Sequence, residues 1–114
     1  MKPHRGAEAE ALAAAFLEGR GLEVLERNFR CRLGEIDLVA RDGETIVFVE
    51  VRRRASSAFG GAAASITSAK QLKILRAARF YLSRQRVTPA CRFDALLIEG
   101  DPPRIDWIRD AFGE

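Results

Sequence analysis

Asp37, Glu50 and Arg52 are the residues of this sequence whose types and spacing could do chemistry. Asp37 and Glu50 sit on two apolar runs rich in β-branched residues, 36–40 and 45–51, separated by Arg41-Asp42-Gly43-Glu44, and Arg52 follows the second run directly. Asp-Gly between such runs is a strong signal for a β-hairpin. With Asp42 and Gly43 as the two-residue loop, Ala40 pairs with Thr45, Val39 with Ile46, Asp37 with Phe48 and Glu35 with Glu50. Side chains alternate across a strand, so Glu35, Asp37, Glu50 and Arg52 share one face. Ile36, Leu38, Ala40, Val47, Val49 and Val51 line the other. Asp37 and Glu50 are then diagonal neighbours, with backbones roughly 7–8 Å apart. From there two carboxylates can converge on one hard cation, at ligand distances of about 2.0–2.5 Å. A site that hydrolyses phosphodiesters needs carboxylates to hold Mg²⁺, the metal to activate water and stabilise the leaving oxygen, and cations to orient phosphate. Asp37, Glu50, Arg52 and the arginines that follow supply the protein groups. The alternative is a solvated sheet end, where exposed acids beside arginines contribute little.

The elements that must position these residues can be read on either side. Val39, Ile46 and Phe48 make the acidic face apolar near the turn, so that face is covered too and the charges are confined to one end. Residues 7–18 are dominated by Ala, Leu and Glu, the best helix formers, and Gly19 and Gly21 close the helix. Its stripe is Ala9, Leu12, Ala13, Phe16 and Leu17, which leaves Glu10 on a neighbouring face. Glu8 and Glu10 also suit the helix dipole. Residues 22–26 read as a strand, and 28–33 either continue it or bend beside it. After Arg52, small residues without periodicity (53–65) read as a mobile loop leaving the acidic end, able to fold over whatever binds there. Thr67 or Ser68 caps a helix running through Lys70 to about Arg84 and stopping before Pro89. Its apolar side reads as Leu72, Leu75, Ala78 and Leu82, flanked by Ile74 and Tyr81. Lys70, Lys73, Arg76 and Arg84 lie mostly on other faces, as a solvated or a phosphate-contacting surface. Residues 91–99 read as a buried strand, 100–103 as a turn and 104–108 as an edge strand before a C-terminal tail. The order helix, strands, helix, strands predicts an α/β domain, a mixed sheet with helices packed against it, spanning 1–114 as one unit.

Composition agrees with one globular domain: 114 residues, 47% hydrophobic and 31% charged. No run approaches the roughly 20 apolar residues of a membrane span, and the first residues lack a signal-peptide core, so a cytoplasmic location is expected. The net charge of +3 permits nucleic-acid binding without requiring it. Basic residues cluster at 27–32, at 52–54 and along 70–86. Cys31 and Cys91 lack any paired metal spacing and read as thiols. His4 reads as a solvated residue, and Trp107 and Phe112 as core or dimer contacts.

Gly6 with Glu10, Arg27-Asn28-Phe29-Arg30, Gly34-Glu35-Ile36-Asp37-Leu38-Val39, Phe48-Val49-Glu50-Val51-Arg52, Phe59-Gly60, Lys70-Gln71 and Arg92-Phe93-Asp94 together closely resemble the YraN-like family of small bacterial proteins. That family in turn looks like the restriction-endonuclease-like superfamily, and within it the archaeal type of Holliday junction resolvase. The resemblance implies a restriction-endonuclease-like fold with a central mixed β-sheet flanked by helices. It also implies Mg²⁺-dependent (or Mn²⁺-dependent) cleavage of DNA, branched or otherwise structured, and a homodimer. By position, Asp37 and Glu50 match the acids of the PD-(D/E)xK motif, and Glu10 matches the acid of the first helix, giving Glu10, Asp37 and Glu50 as metal ligands. Arg52 stands where the motif has lysine. Lysine can lower its pKa and assist deprotonation of water, whereas a guanidinium stays charged and can only orient or stabilise. This departure opens the alternative of a non-catalytic nucleic-acid-binding module that keeps the fold. Gln71 and Lys70 resemble auxiliary polar residues near the scissile phosphate. Arg53, Arg54, Lys70 and Lys73 are the expected phosphate contacts. Glu35 can be a ligand, a support for the ligands or the partner of an arginine.

Overall fold

The computed structural model describes residues 5–54 and 66–113. The expected loop, from residue 55 on, and His4 lie outside the described residues.

Helix α1 (Arg5–Gly19) is followed by strands β1 (Glu23–Cys31), β2 (Gly34–Asp42) and β3 (Thr45–Arg54), helix α2 (Ser68–Ser83), and strands β4 (Cys91–Glu99) and β5 (Arg104–Phe112). The strands form one sheet in chain order. β1, β2 and β3 are an antiparallel meander, β3 and β4 are parallel, and β4 and β5 antiparallel. The expected mixed sheet with flanking helices is therefore what the chain forms.

The two helices cover opposite faces. On one side Ala13, Ala14 and Leu17 of α1 pack on Leu38, Ala40, Val47, Val49 and Leu96. The small alanines let the helix sit close to the strands. Helix α1 ends in a Schellman motif: the Leu22 amide donates to the Leu17 carbonyl (3.1 Å) and the Gly21 amide to the Glu18 carbonyl (3.1 Å), with Gly21 at φ 93°. On the other side Ile74, Ala77, Ala78 and Tyr81 of α2 meet Phe29, Ile36, Val39, Ile46, Phe48 and Phe93. The rings of Phe48 and Phe93 stack at 5.4 Å, as do Phe93 and Phe112. Thr67 caps α2, its hydroxyl accepting from the Lys70 amide at 3.2 Å.

Four sequence expectations are corrected. The β2–β3 hairpin pairs Asp42 with Thr45 and Ala40 with Val47, two residues away from the expected register, because the two-residue loop is Gly43-Glu44. Gly43 has φ 62° and neither neighbour has positive φ, which is the demand of a II′ turn with Gly first rather than a I′ turn on Asp-Gly. A slip of two leaves every residue on its expected face, except that Ile36 joins Phe29 and Ile74 on the α2 side. The buried stripe of α2 is Ile74, Ala77, Ala78 and Tyr81, and Leu72 is exposed. Two overlapping stripes were available at helical spacing, and the bulky Tyr81 and Ile74 took the sheet. β3 runs two residues beyond Arg52, and β5 continues to Phe112.

Candidate functional site: an acid pair at the end of the central hairpin

The register slip brings Asp37 level with Glu50, one step beyond the last ladder pair, Leu38 with Val49. Here β2 parts from β3. In place of a backbone carbonyl, the Asp37 carboxylate takes the Val51 amide, through Oδ2 at 2.8 Å. That bond fixes the Asp37 side chain against β3, and the two carboxyl groups share a hydrogen bond. Glu50 is 2% exposed. Burial first, and then the negative charge of Asp37 and their shared hydrogen bond, push the Glu50 carboxyl up to about 8, while Lys70 and Arg52 pull it down. Arg52 Nε stands 3.3 Å from Glu50 Oε2, and Lys70 Nζ, from the first turn of α2, 3.4 Å from the same oxygen. Desolvation and a like-charged neighbour outweigh two cations here, because the cations are themselves about one-third exposed and partly screened.

Glu10, on α1, lies within electrostatic reach of Asp37 and Glu35. Partial burial and these two acids raise its carboxyl above the ordinary value, against Arg30 and Arg27. Asp37 is thus the neighbour common to Glu10 and Glu50. Among the described residues, however, no three His, Cys, Asp or Glu side chains gather into a group able to hold an ion. Glu10 stands beside the pair without completing it. Glu35 pairs with Arg30 at 3.4 Å, the arginine-partner role among its three alternatives, and the new register separates it from Glu50. The Gln71 amide donates to the Ile66 carbonyl at 3.0 Å, so it fastens the chain entering α2. Lys73 is exposed on α2. Arg53 is exposed and, by strand alternation, faces away from Arg52. The Arg54 side chain lies outside the described residues.

The pair itself fits a divalent cation. Glu50 Oε2 is buried and, beyond its ion pairs with Arg52 and Lys70, has no hydrogen-bond partner among the described residues, and Mg²⁺ is commonly held by only one or two carboxylates together with water and phosphate oxygens.

Sequence reasoning missed a second acid centre. Asp94 on β4 is fully buried and accepts from Arg92 Nε (3.1 Å), Trp107 Nε1 (2.9 Å) and the Asp110 amide (2.9 Å). Arg92 also reaches Asp42 Oδ2 at 3.1 Å. This network ties β5 and the β2–β3 turn to β4 and is structural. Its signal was an acid inside the apolar run 93–98.

With this geometry in view, comparison with known proteins decides the family. The model of the uncharacterised protein family UPF0102 matches residues 9–98. The chain belongs to the UPF0102 family. It is 57% identical over 111 residues to the UPF0102 protein of Nitrosomonas eutropha, covering 97% of this chain and 95% of that one. It is 57% identical over 109 residues to that of Nitrosospira multiformis, covering 95% and 92%. With the UPF0102 protein of Aeromonas hydrophila it shares 52% identity over 113 residues, covering 96% and 85%. The family membership expected from the motifs therefore stands at this level. Among the described residues, no helix is long and apolar enough to cross a membrane.

Proposed function

We propose that this UPF0102 protein is a metal-dependent DNA endonuclease of the restriction-endonuclease-like kind, acting on branched or otherwise structured DNA. The observation that carries the reading is the Asp37–Glu50 acid pair, with Glu50 buried, joined by a hydrogen bond and flanked by Arg52 and Lys70 at the end of the central hairpin. Asp37 and Glu50 would hold Mg²⁺ or Mn²⁺, with Glu10 adding negative charge from α1. When bound, the ion supplies a Lewis acid that activates water and stabilises the leaving oxygen. The protein's own part is positional. The Val51 amide orients Asp37, and Glu50, whose carboxyl is raised by burial and by Asp37, would release its proton to solvent on holding the cation. Arg52 provides a fixed cation for the charge developing on phosphate, and Lys70 a compact ammonium beside it.

The test is incubation of the full chain with four-way junction, flap and continuous duplex DNA in Mg²⁺ or Mn²⁺. Cleavage by the parent is expected to be abolished by Asp37→Asn. Equal nicking by both proteins would sink the assignment.

One observation favours a second reading, a nucleic-acid-binding module without cleavage: Arg52 and Lys70 already stand against Glu50 Oε2, and Arg52 cannot deprotonate water. DNA binding with steep salt dependence, and no calorimetric heat on adding Mg²⁺, would select it.

A further inference from the structure

Beside the acid pair lies an open groove of about 450 Å³ between the β1–β2 turn and α2. Its lining carries Arg30, Arg32, Lys70 and Lys73 against one acid, Glu35, and Glu35 is engaged by Arg30. Among the described residues neither Arg32 nor Lys73 pairs with a carboxylate, so their charge faces solvent. Lys70 belongs both to this groove and to the Glu50 ion pair, so the groove opens onto the proposed scissile site. At its rim the tight turn exposes Leu33, 50% accessible, between Arg32 and Gly34.

The turn is held firmly. Cys31 pairs with Gly34 across it, and Gly34 lies so close to α2 that a Cβ there would stand 2.8 Å from the Lys73 carbonyl oxygen. An apolar side chain on a braced tip, with unpaired cations beside it, suits a nucleic-acid strand whose phosphates follow the groove while one base step is open. Such apolar tips insert where stacking is already interrupted, since unstacking there is least costly. A continuous duplex offers the phosphates but not the open step.

Resting on the endonuclease reading, we infer that this groove is the phosphate track of the substrate strand, and that Leu33 contacts an unstacked base at a discontinuity in DNA. Arg32 and Lys73 supply affinity without regard to structure. Leu33 supplies the preference for a fork or junction.

Binding measured by anisotropy in EDTA, with labelled forked and continuous duplex DNA across a salt series, tests this without cleavage. Arg32→Ala/Lys73→Ala is expected to weaken binding to both DNAs and to lower the slope of log K against log salt by roughly 2. Leu33→Ser is expected to keep the slope and lose the preference for the fork. All three residues are exposed, and thermal melts identical to the parent's accompany these results. Parental slopes in the double variant, or an unchanged fork preference in Leu33→Ser, overturn the inference while DNA cleavage by the parent leaves the endonuclease reading intact. A parent that binds neither DNA at low salt overturns both.

Discussion

Glu50 is held in a place that disfavours its charge, and this has a measurable thermodynamic sign. Its carboxyl lies near 8 in the folded chain against an ordinary 4.5. Below pH 4.5 both folded and unfolded chains carry the proton. Between 4.5 and 8 the unfolded chain releases it and the folded one keeps it, so stability falls as pH rises, and the loss levels off above 8. In EDTA, Glu50→Gln is therefore expected to melt several degrees above the parent at pH 8, with the difference closing toward pH 4.5. A gap that is constant with pH would mean that Glu50 is ionised throughout. Mg²⁺ is expected to raise the parent's melting temperature at pH 8 and to leave the variant unmoved. Burying a carboxylic acid that is awkward when empty is the arrangement expected where binding energy is to be realised by an incoming cation.

At the level of elements, the close approach of the β1–β2 turn to α2 makes Gly34 a packing position. Gly34→Ala forces backbone apart at the Lys73 carbonyl and is expected to cost about 1–3 kcal/mol, read from urea unfolding; a neutral outcome would mean that the turn can retreat freely. The same elements show what could be read beforehand. Strand β4 was legible to the residue, because the largely apolar stretch 91–99 is bounded by Pro89 and the Gly100-Asp101-Pro102-Pro103 turn. The hairpin was legible as a hairpin but not in register, since Asp42-Gly43 and Gly43-Glu44 both offer a glycine and only backbone geometry chooses. The acids were legible as a pair. That Asp37 would replace a ladder carbonyl was not, because it depends on where β2 leaves β3. The stripe of α2 was ambiguous because its apolar residues span two overlapping faces. The extension of β5 was hidden by Arg109 and Asp110, which look like a tail and are held in the strand by the Asp94 carboxylate on the Asp110 amide.

Across the whole molecule, the family match ends at residue 98 while the folded unit does not. Asp94 would lose Trp107 and the Asp110 amide if β5 were removed, leaving a buried carboxylate with only Arg92; breaking buried charge networks costs about 3–5 kcal/mol, a large part of the stability of a domain this size. A chain ending at Gly100 is expected to show no cooperative melt by circular dichroism, and a sharp transition would overturn that. The topology also imposes an order in time. β1 to β3 close through short turns, whereas β4 reaches β3 only after the α2 crossover, and non-local pairings form late. Asp37 and Glu50 therefore meet on the meander before α2 brings Lys70. Above pH 8, stopped-flow refolding of Lys70→Gln in EDTA is expected to lag the parent, and near pH 5 to match it. Lag at neither pH would mean that Lys70 reaches Glu50 only after the rate-limiting step. The topology thus places the repulsion on the local meander and its partial relief on the crossover helix.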